Sequence, residues 1–214
     1  MTSAASVAGA PSDPGPRIAL VGRSNVGKSS LINALAGRPI ARTSATPGRT
    51  RLANFYRVTL APARVSGRRS IIYLVDLPGY GYARGGLEAR RLFARIAEGF
   101  FAEKVSGTFS REGSGEKVPD TFSALLVVDA RHPGVESDRD ARDWLADRGV
   151  AFGVVATKVD KLSRAERARA LREIAATLEG PALAFSAATG EGRDELWSMI
   201  AELARARVER PARE

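Results

Sequence analysis

Short apolar runs rich in β-branched and aromatic residues alternate along this chain with stretches of helical periodicity. That pattern belongs to a mostly parallel sheet covered by helices on both faces. Arg17 to Gly22 (RIALVG), Leu52 to Leu60, Ser70 to Asp76, Phe122 to Asp129 (FSALLVVD), Val150 to Thr157 and Ala182 to Ser186 read as six strands. Lys28 to Ala36 reads as a helix, and further helices are expected near 87–104, 137–148, 163–178 and 191–208. The expected fold class is therefore α/β, a three-layer α/β/α sandwich with a six-stranded, mostly parallel sheet and about five helices. Two stretches interrupt the alternation. Ala61 to Arg69 is expected to be a hairpin loop, and Ser106 to Asp120 (SGTFSREGSGEKVPD), rich in Gly and Ser, is expected to be mobile.

Composition narrows the setting. With 214 residues and 44% hydrophobic positions the chain can bury one ordinary core. Residues 1–16 are mostly small, with Pro and Gly, and have neither a basic start nor an apolar core, which argues against a signal peptide. A disordered tail is expected there, followed by one domain over 17–208 and a short C-terminal tail over 209–214. The longest aliphatic run, Ala124 to Val128, is far short of the roughly 20 residues that span a bilayer. Cysteine is absent, which excludes disulfides, thiolate chemistry and cysteine-ligated metals and fits a reducing, cytoplasmic setting. A monomer without a DNA or membrane partner is expected. The net charge of +9 suits a polyanion such as RNA, and suits a basic, well-solvated surface equally well.

The chemistry sits where predicted strands end. Gly22 to Ser29 reads GRSNVGKS, a match to G-x-x-x-x-G-K-[ST] between a strand and a helix. Glycines at 22 and 27 let the backbone close around phosphate oxygens, while the N–H groups of Arg23, Ser24, Asn25 and Val26 and of the helix start can face the anion. Lys28 would bring a charge to the outer phosphates and Ser29 a magnesium ligand. Asp76-Leu77-Pro78-Gly79 gives DxxG at the end of the third strand, where the carboxylate can hold magnesium through water and the Gly79 N–H can meet a γ-phosphate. Thr157-Lys158-Val159-Asp160 gives TKxD after the fifth strand. Asp160 could accept from the guanine N1–H and exocyclic amine, donors that adenine lacks on that edge. Phe185-Ser186-Ala187 follows the sixth strand and could offer N–H groups to the guanine O6. Thr50, in the loop that includes Gly48, Arg49, Arg51 and Leu52, suits a switch threonine that completes magnesium coordination, although Thr43 and Thr46 lie nearby.

These boxes and the sequence between them, from about Arg17 to Ala206, resemble the EngB family of bacterial ribosome-assembly GTPases, a branch of the P-loop, Ras-like GTPases. The most specific pieces are GRSNVGKSSLINAL from Gly22, ARTSATPGRT from Ala41, NFY from Asn54, VDLPGYGYA from Val75 and VDARHP from Val128. The resemblance implies phosphate binding at Gly22 to Ser29, magnesium at Ser29 and Thr50, a second switch at Asp76 to Gly79, and guanine recognition at Thr157 to Asp160 with Phe185 to Ala187. It also implies GTP and GDP as ligands and contact with the large ribosomal subunit and its rRNA during assembly. Two departures stand out: Arg51 where the family usually has Gln, and the 106–120 segment.

Lys28, Thr50 and Gly79 are the residues expected to carry hydrolysis. Tyr80 stands where many GTPases place a water-orienting Gln, so slow intrinsic turnover is expected. Asn25 is a candidate to help coordinate potassium, or simply braces its loop. Tyr80 and Tyr82 either display contact surface or pack their loop. His132, the single histidine, is expected to brace a loop; Arg90, Arg91, Arg95, Arg164, Arg167, Arg169 and Arg172 form solvated faces or RNA contacts. A nucleotide-gated RNA or ribosome-binding module with negligible hydrolysis is the alternative to a GTP switch enzyme, and an ATP-dependent enzyme is a third reading.

Overall fold

The computed structural model describes residues 2–4, 15–41, 53–60, 70–80, 108–110, 117–119 and 122–205. In chain order these form β1 (Thr2–Ala4), β2 (Arg17–Val21), α1 (Lys28–Ala36), β3 (Ala53–Leu60), β4 (Ser70–Asp76), β5 (Thr108–Ser110), β6 (Lys117–Pro119), β7 (Phe122–Asp129), α2 (Glu136–Asp147), β8 (Ala151–Thr157), α3 (Arg164–Thr177), β9 (Ala182–Ala184) and α4 (Arg193–Arg205). All six expected strands are present, each within two residues of its expected ends. They lie in one sheet of order β1-β3-β4-β2-β7-β8-β9. From β4 to β9 every pairing is parallel, while β3 runs antiparallel to β4 and β1 antiparallel to β3.

The continuous apolar runs of β2 and β7 follow from their central place, where both faces of the sheet are covered and every residue of each strand is buried. Alternate residues serve opposite layers. Ile18 and Leu20 pack with Leu31, Ile32 and Leu35 of α1 and Leu196, Ile200 and Leu203 of α4. Ala19 and Val21 share the other layer with Ala141 and Leu145 of α2 and Ile174 of α3. Removing a side chain such as Leu145, which is fully buried, from water contributes about 1.5–3 kcal/mol. The helices start and stop on local signals. Ser163 and Glu166 form a reciprocal capping box at the head of α3, and Gly37, at φ 65°, closes α1 in the left-handed conformation.

Four expectations are corrected or bounded. Thr2–Ala4, inside the stretch expected to be a disordered tail, pairs with Ala53–Phe55 as an edge strand, because β3 would otherwise present an open edge. Within the segment expected to be mobile, Thr108–Ser110 pairs antiparallel with Lys117–Pro119, and the rest of that segment lies outside the described residues. Residues 61–69, read as a hairpin loop, lie outside the described residues; the strands on either side pair antiparallel with Leu60 opposite Ser70. The helix expected near 87–104 lies outside the described residues, which hold four α-helices. No helix among the described residues is long and apolar enough to cross a membrane.

Candidate functional site

The loop from β2 to α1 is shaped by two left-handed residues, Asn25 at φ 62° and Gly27 at φ 108°, and by a third position with no room for a side chain. A Cβ on Gly22 would overlap the Val127 carbonyl of the neighbouring strand. Because α1 begins at Lys28, its first backbone N–H groups open toward the hollow of this loop, where the helix dipole favours negative charge. Lys28 is only 7% exposed, and its ammonium donates to the carbonyls of Gly22 at 2.9 Å and Arg23 at 3.1 Å. Burial lowers its pKa to about 8, against the opposing pull of Asp76. Such an arrangement can receive a phosphate chain: backbone donors, a dipole and one cation face one concavity.

β4 delivers Asp76 to the rim of that concavity. The Ser29 hydroxyl donates to Asp76 Oδ2 at 2.9 Å, and Asp76 Oδ1 is buried with no hydrogen-bond partner. Burial raises the Asp76 pKa, while Lys28 and Ser29 act in the opposite direction. A buried, unsatisfied carboxylate oxygen beside a hydroxyl is a donor set suited to a hard cation held by oxygen ligands. No group of three or more His, Asp or Glu side chains gathers among the described residues. Beyond Asp76 the chain runs against the P-loop. The Ser24 N–H donates to the Tyr80 carbonyl at 3.1 Å, and a Cβ on Gly79 would lie 2.6 Å from the Ser24 nitrogen.

The third cluster lies at the ends of β8 and β9. Thr157, which stands where Asn is commoner, directs its hydroxyl at the Val26 carbonyl (2.5 Å) and the Val128 carbonyl (3.0 Å), so it braces the phosphate loop against β7. Lys158 is left-handed at φ 61°, which aims its side chain back across the P-loop to the Asn25 carbonyl at 2.6 Å and to Asp129 at 2.8 Å. Val159 is buried, and its N–H donates to the Phe185 carbonyl at 3.4 Å. The Ser186 hydroxyl, fully buried, donates to Asp160 Oδ1 at 2.7 Å and accepts from the N–H groups of Ala188 and Thr189, each at 3.2 Å. The Ser186 hydrogen bond is the main cause of the lowered Asp160 pKa. Asp160 thus presents an ionised carboxylate, oriented from behind, next to the exposed Ala187.

The structure therefore brings together Gly22 to Ser29, Asp76 to Gly79, Thr157 to Asp160 and Phe185 to Ala187. Gly48, Arg49, Thr50, Arg51 and Leu52 lie outside the described residues, as do Tyr82 and the arginines at 90, 91 and 95. Two acids escaped sequence reasoning. Asp129, in VDARHP, takes hydrogen bonds from both Arg131 and Lys158; burial opposes its ionisation, but these bonds prevail and hold its pKa at about 2. Asp138 of α2 accepts from Arg23 and from Tyr80, so the Tyr80 side chain packs inward and is 5% exposed. Its position four residues before Arg142 on a charged helix carries no signal of that role. His132 is exposed, and its backbone N–H donates to the Asp129 carbonyl at 2.9 Å, in keeping with a loop position.

Comparisons with known proteins agree with this geometry. Residues 17–158 match the family model described as a 50S ribosome-binding GTPase, more than half of the chain. A "Probable GTP-binding protein EngB" from Anaeromyxobacter sp. (strain K) is 42% identical over 194 residues, covering 88% of this chain and 82% of the relative. Among solved structures, a probable GTP-binding protein EngB superposes with a TM-score of 0.59 at 22% identity, over 89% of this chain and 100% of that one. Era in complex with MgGDPNP and nucleotides 1506–1542 of 16S ribosomal RNA superposes with a TM-score of 0.62 at 20% identity, over 94% of this chain and 60% of that one. At these identities the structural likenesses speak for the fold alone.

Proposed function

Since this chain belongs to the EngB family of GTP-binding proteins and carries its GTPase domain, we propose that it is a slow, magnesium-dependent GTPase that switches with nucleotide during assembly of the large ribosomal subunit. One observation carries the reading: GRSNVGKS, DLPG, TKVD and FSA converge at neighbouring strand ends, with Ser29 on Asp76 and Ser186 on Asp160.

In this reading Gly22 to Ser29 cradle the phosphates, with Lys28 on the outer ones, and Asp160 reads the guanine edge with Phe185 to Ala187 beside it. Ser29 and Thr50 would hold magnesium, with Asp76 acting through water, and the unpartnered Asp76 Oδ1 fits that assignment. The ion supplies positive charge to the phosphate oxygens. Lys28 stabilises charge on the transferring group, the Gly79 N–H meets the third phosphate, and Thr50 closes the first switch. Tyr80 donates its hydroxyl to Asp138 and so is turned away from any attacking water, which supports slow intrinsic turnover. Asn25 is the residue through which potassium would add charge to the phosphates.

The ribosomal assignment draws on the family model's description and on the net charge of +9. The buried Tyr80 also favours a second reading, a nucleotide-gated ribosome-binding module with negligible hydrolysis. Co-sedimentation with separated ribosomal subunits, using a GTP analogue, GDP or no nucleotide at several salt concentrations, tests the switch. Large-subunit association that is strongest with the analogue is expected; association indifferent to nucleotide would contradict it. Single-turnover hydrolysis with and without subunits separates the two readings.

A further inference from the structure

Three segments far apart in sequence meet on one carboxylate. Asp138, in the first turn of α2, is 3% exposed, and its Oδ1 accepts from Arg23 Nε at 3.0 Å and from the Tyr80 hydroxyl at 2.9 Å. Arg23 belongs to the P-loop, and Tyr80 is the residue directly after DxxG. Their backbones also pair as an isolated parallel bridge, next to the Ser24 N–H donating to the Tyr80 carbonyl at 3.1 Å. The Ser24 hydroxyl adds a long bond of 3.5 Å to the Gly79 carbonyl. Gly79 is thereby pressed onto Ser24 so closely that a Cβ would stand 2.6 Å from one backbone atom and 2.7 Å from the next.

A buried ion pair is a poor source of net stability, because desolvation offsets the attraction; what it fixes well is geometry. Here the geometry fixed is that of the loop presenting the Gly79 N–H. Burial and the neighbouring Asp138 keep the Tyr80 phenol protonated well above its ordinary pKa, so it stays a donor. Burial raises the Asp138 pKa as well, while the Arg23 guanidinium favours the charged form.

We propose that Asp138 is a positioning residue for the third phosphate: by holding Tyr80 and Arg23 it keeps Gly79 seated on the P-loop, and so raises the affinity of the site for the triphosphate relative to the diphosphate. The inference rests on the nucleotide-switch reading and concerns a residue in none of the four nucleotide boxes. Asp138 touches no nucleotide; it acts through the backbone of residues 79 and 80.

The test compares dissociation constants of the full chain for GDP and for guanosine imidotriphosphate, in wild type and in Tyr80→Phe, Asp138→Ala and Asp138→Asn. Tyr80→Phe keeps the ring and loses one bond, so affinity for the imidotriphosphate should fall about fivefold; Asp138→Ala should lose about tenfold. GDP affinity should stay within about twofold in Tyr80→Phe, which leaves the Arg23–Asp138 pair in place, and should fall less than the imidotriphosphate affinity in Asp138→Ala, which also frees Arg23 of the P-loop. Asp138→Asn, whose amide oxygen can still accept both bonds, should recover most of the loss, which a merely bulky residue would not explain. Should Asp138→Ala fail to fold, Tyr80→Phe decides alone. A wild type that binds both nucleotides while Tyr80→Phe leaves their ratio within twofold overturns this inference only. A wild type that binds neither overturns the switch reading itself.

Discussion

The Lys158 ammonium donates to the Asn25 carbonyl at 2.6 Å, tying the loop expected to read the base to the loop expected to hold the phosphates. The same ammonium pairs with Asp129 at 2.8 Å, and Thr157 reaches Val26 from the adjacent position. The two halves of the site are therefore tied to each other directly, without a ligand between them. Lys158→Ala should weaken GDP and a GTP analogue alike, each by about tenfold, as expected for loss of a charge-assisted bond. Displacement of a fluorescent guanine nucleotide measures both constants. A loss confined to the triphosphate would contradict the assignment.

Asp129 gives the fold an acid-sensitive joint. Its pKa is about 2 in the folded chain against an ordinary 3.8, so ionisation favours the native state. Because the folded value is depressed, this contribution is fully present above the unfolded pKa and is lost as pH falls from about 4 to about 2. Asp129→Asn should be less stable at neutral pH and should show a shallower decline over that acid range. Thermal unfolding as a function of pH checks both; parallel curves for the two proteins would count against the joint.

Lys28 titrates within reach of ordinary buffers. Its pKa of about 8 in the free protein means that an anion arriving at higher pH must bind together with a proton. Affinity for GDP should be nearly flat below pH 8 and then fall by up to about tenfold per pH unit. Lys28→Arg, charged throughout, should bind more weakly at pH 7 and lack the break. Titration calorimetry across pH 7 to 9.5 measures the profile, and an unbroken wild-type profile would contradict it.

Much of this was legible because the relevant signals are local. The β2 and β7 runs and the glycines of GRSNVGKS each declare themselves within a few residues. What stayed hidden depends on distance in sequence. Asp138 matters because Arg23, 115 residues earlier, folds onto it, and nothing in ESDRDARDWLAD distinguishes that acid from Asp140 or Asp143. Thr157 was legible as the first residue of TKxD; its bond to Val26, across 131 residues, was not. The strand Thr2–Ala4 has no apolar alternation, since its backbone pairs with β3 and not its side-chain pattern selects it.

Two glycine substitutions separate lack of space from conformational strain. Gly22→Ala would drive a methyl into the Val127 carbonyl, whose backbone cannot yield cheaply, and to 3.0 Å from the Val26 side chain. A destabilisation of about 1–3 kcal/mol is expected, with loss of nucleotide binding. Gly149→Ala meets nothing within 4 Å and suffers only its positive φ of 58°, so about 1 kcal/mol and unchanged binding are expected. Chemical denaturation ranks the pair, and equal effects would show that the crowding at Gly22 is relieved by movement.

Base selectivity tests the central claim most directly. Asp160, ionised and fixed by Ser186 at 2.7 Å, is assigned the guanine N1–H and amine. The measurement is competition of GDP, ADP and xanthosine diphosphate against a fluorescent nucleotide, in wild type and in Asp160→Asn. Wild type should be displaced by GDP and not by ADP, and the variant should lose guanine affinity by at least about a hundredfold while gaining preference for the xanthine base, whose carbonyl can meet the new amide. Guanine selectivity left unchanged in Asp160→Asn would contradict the account.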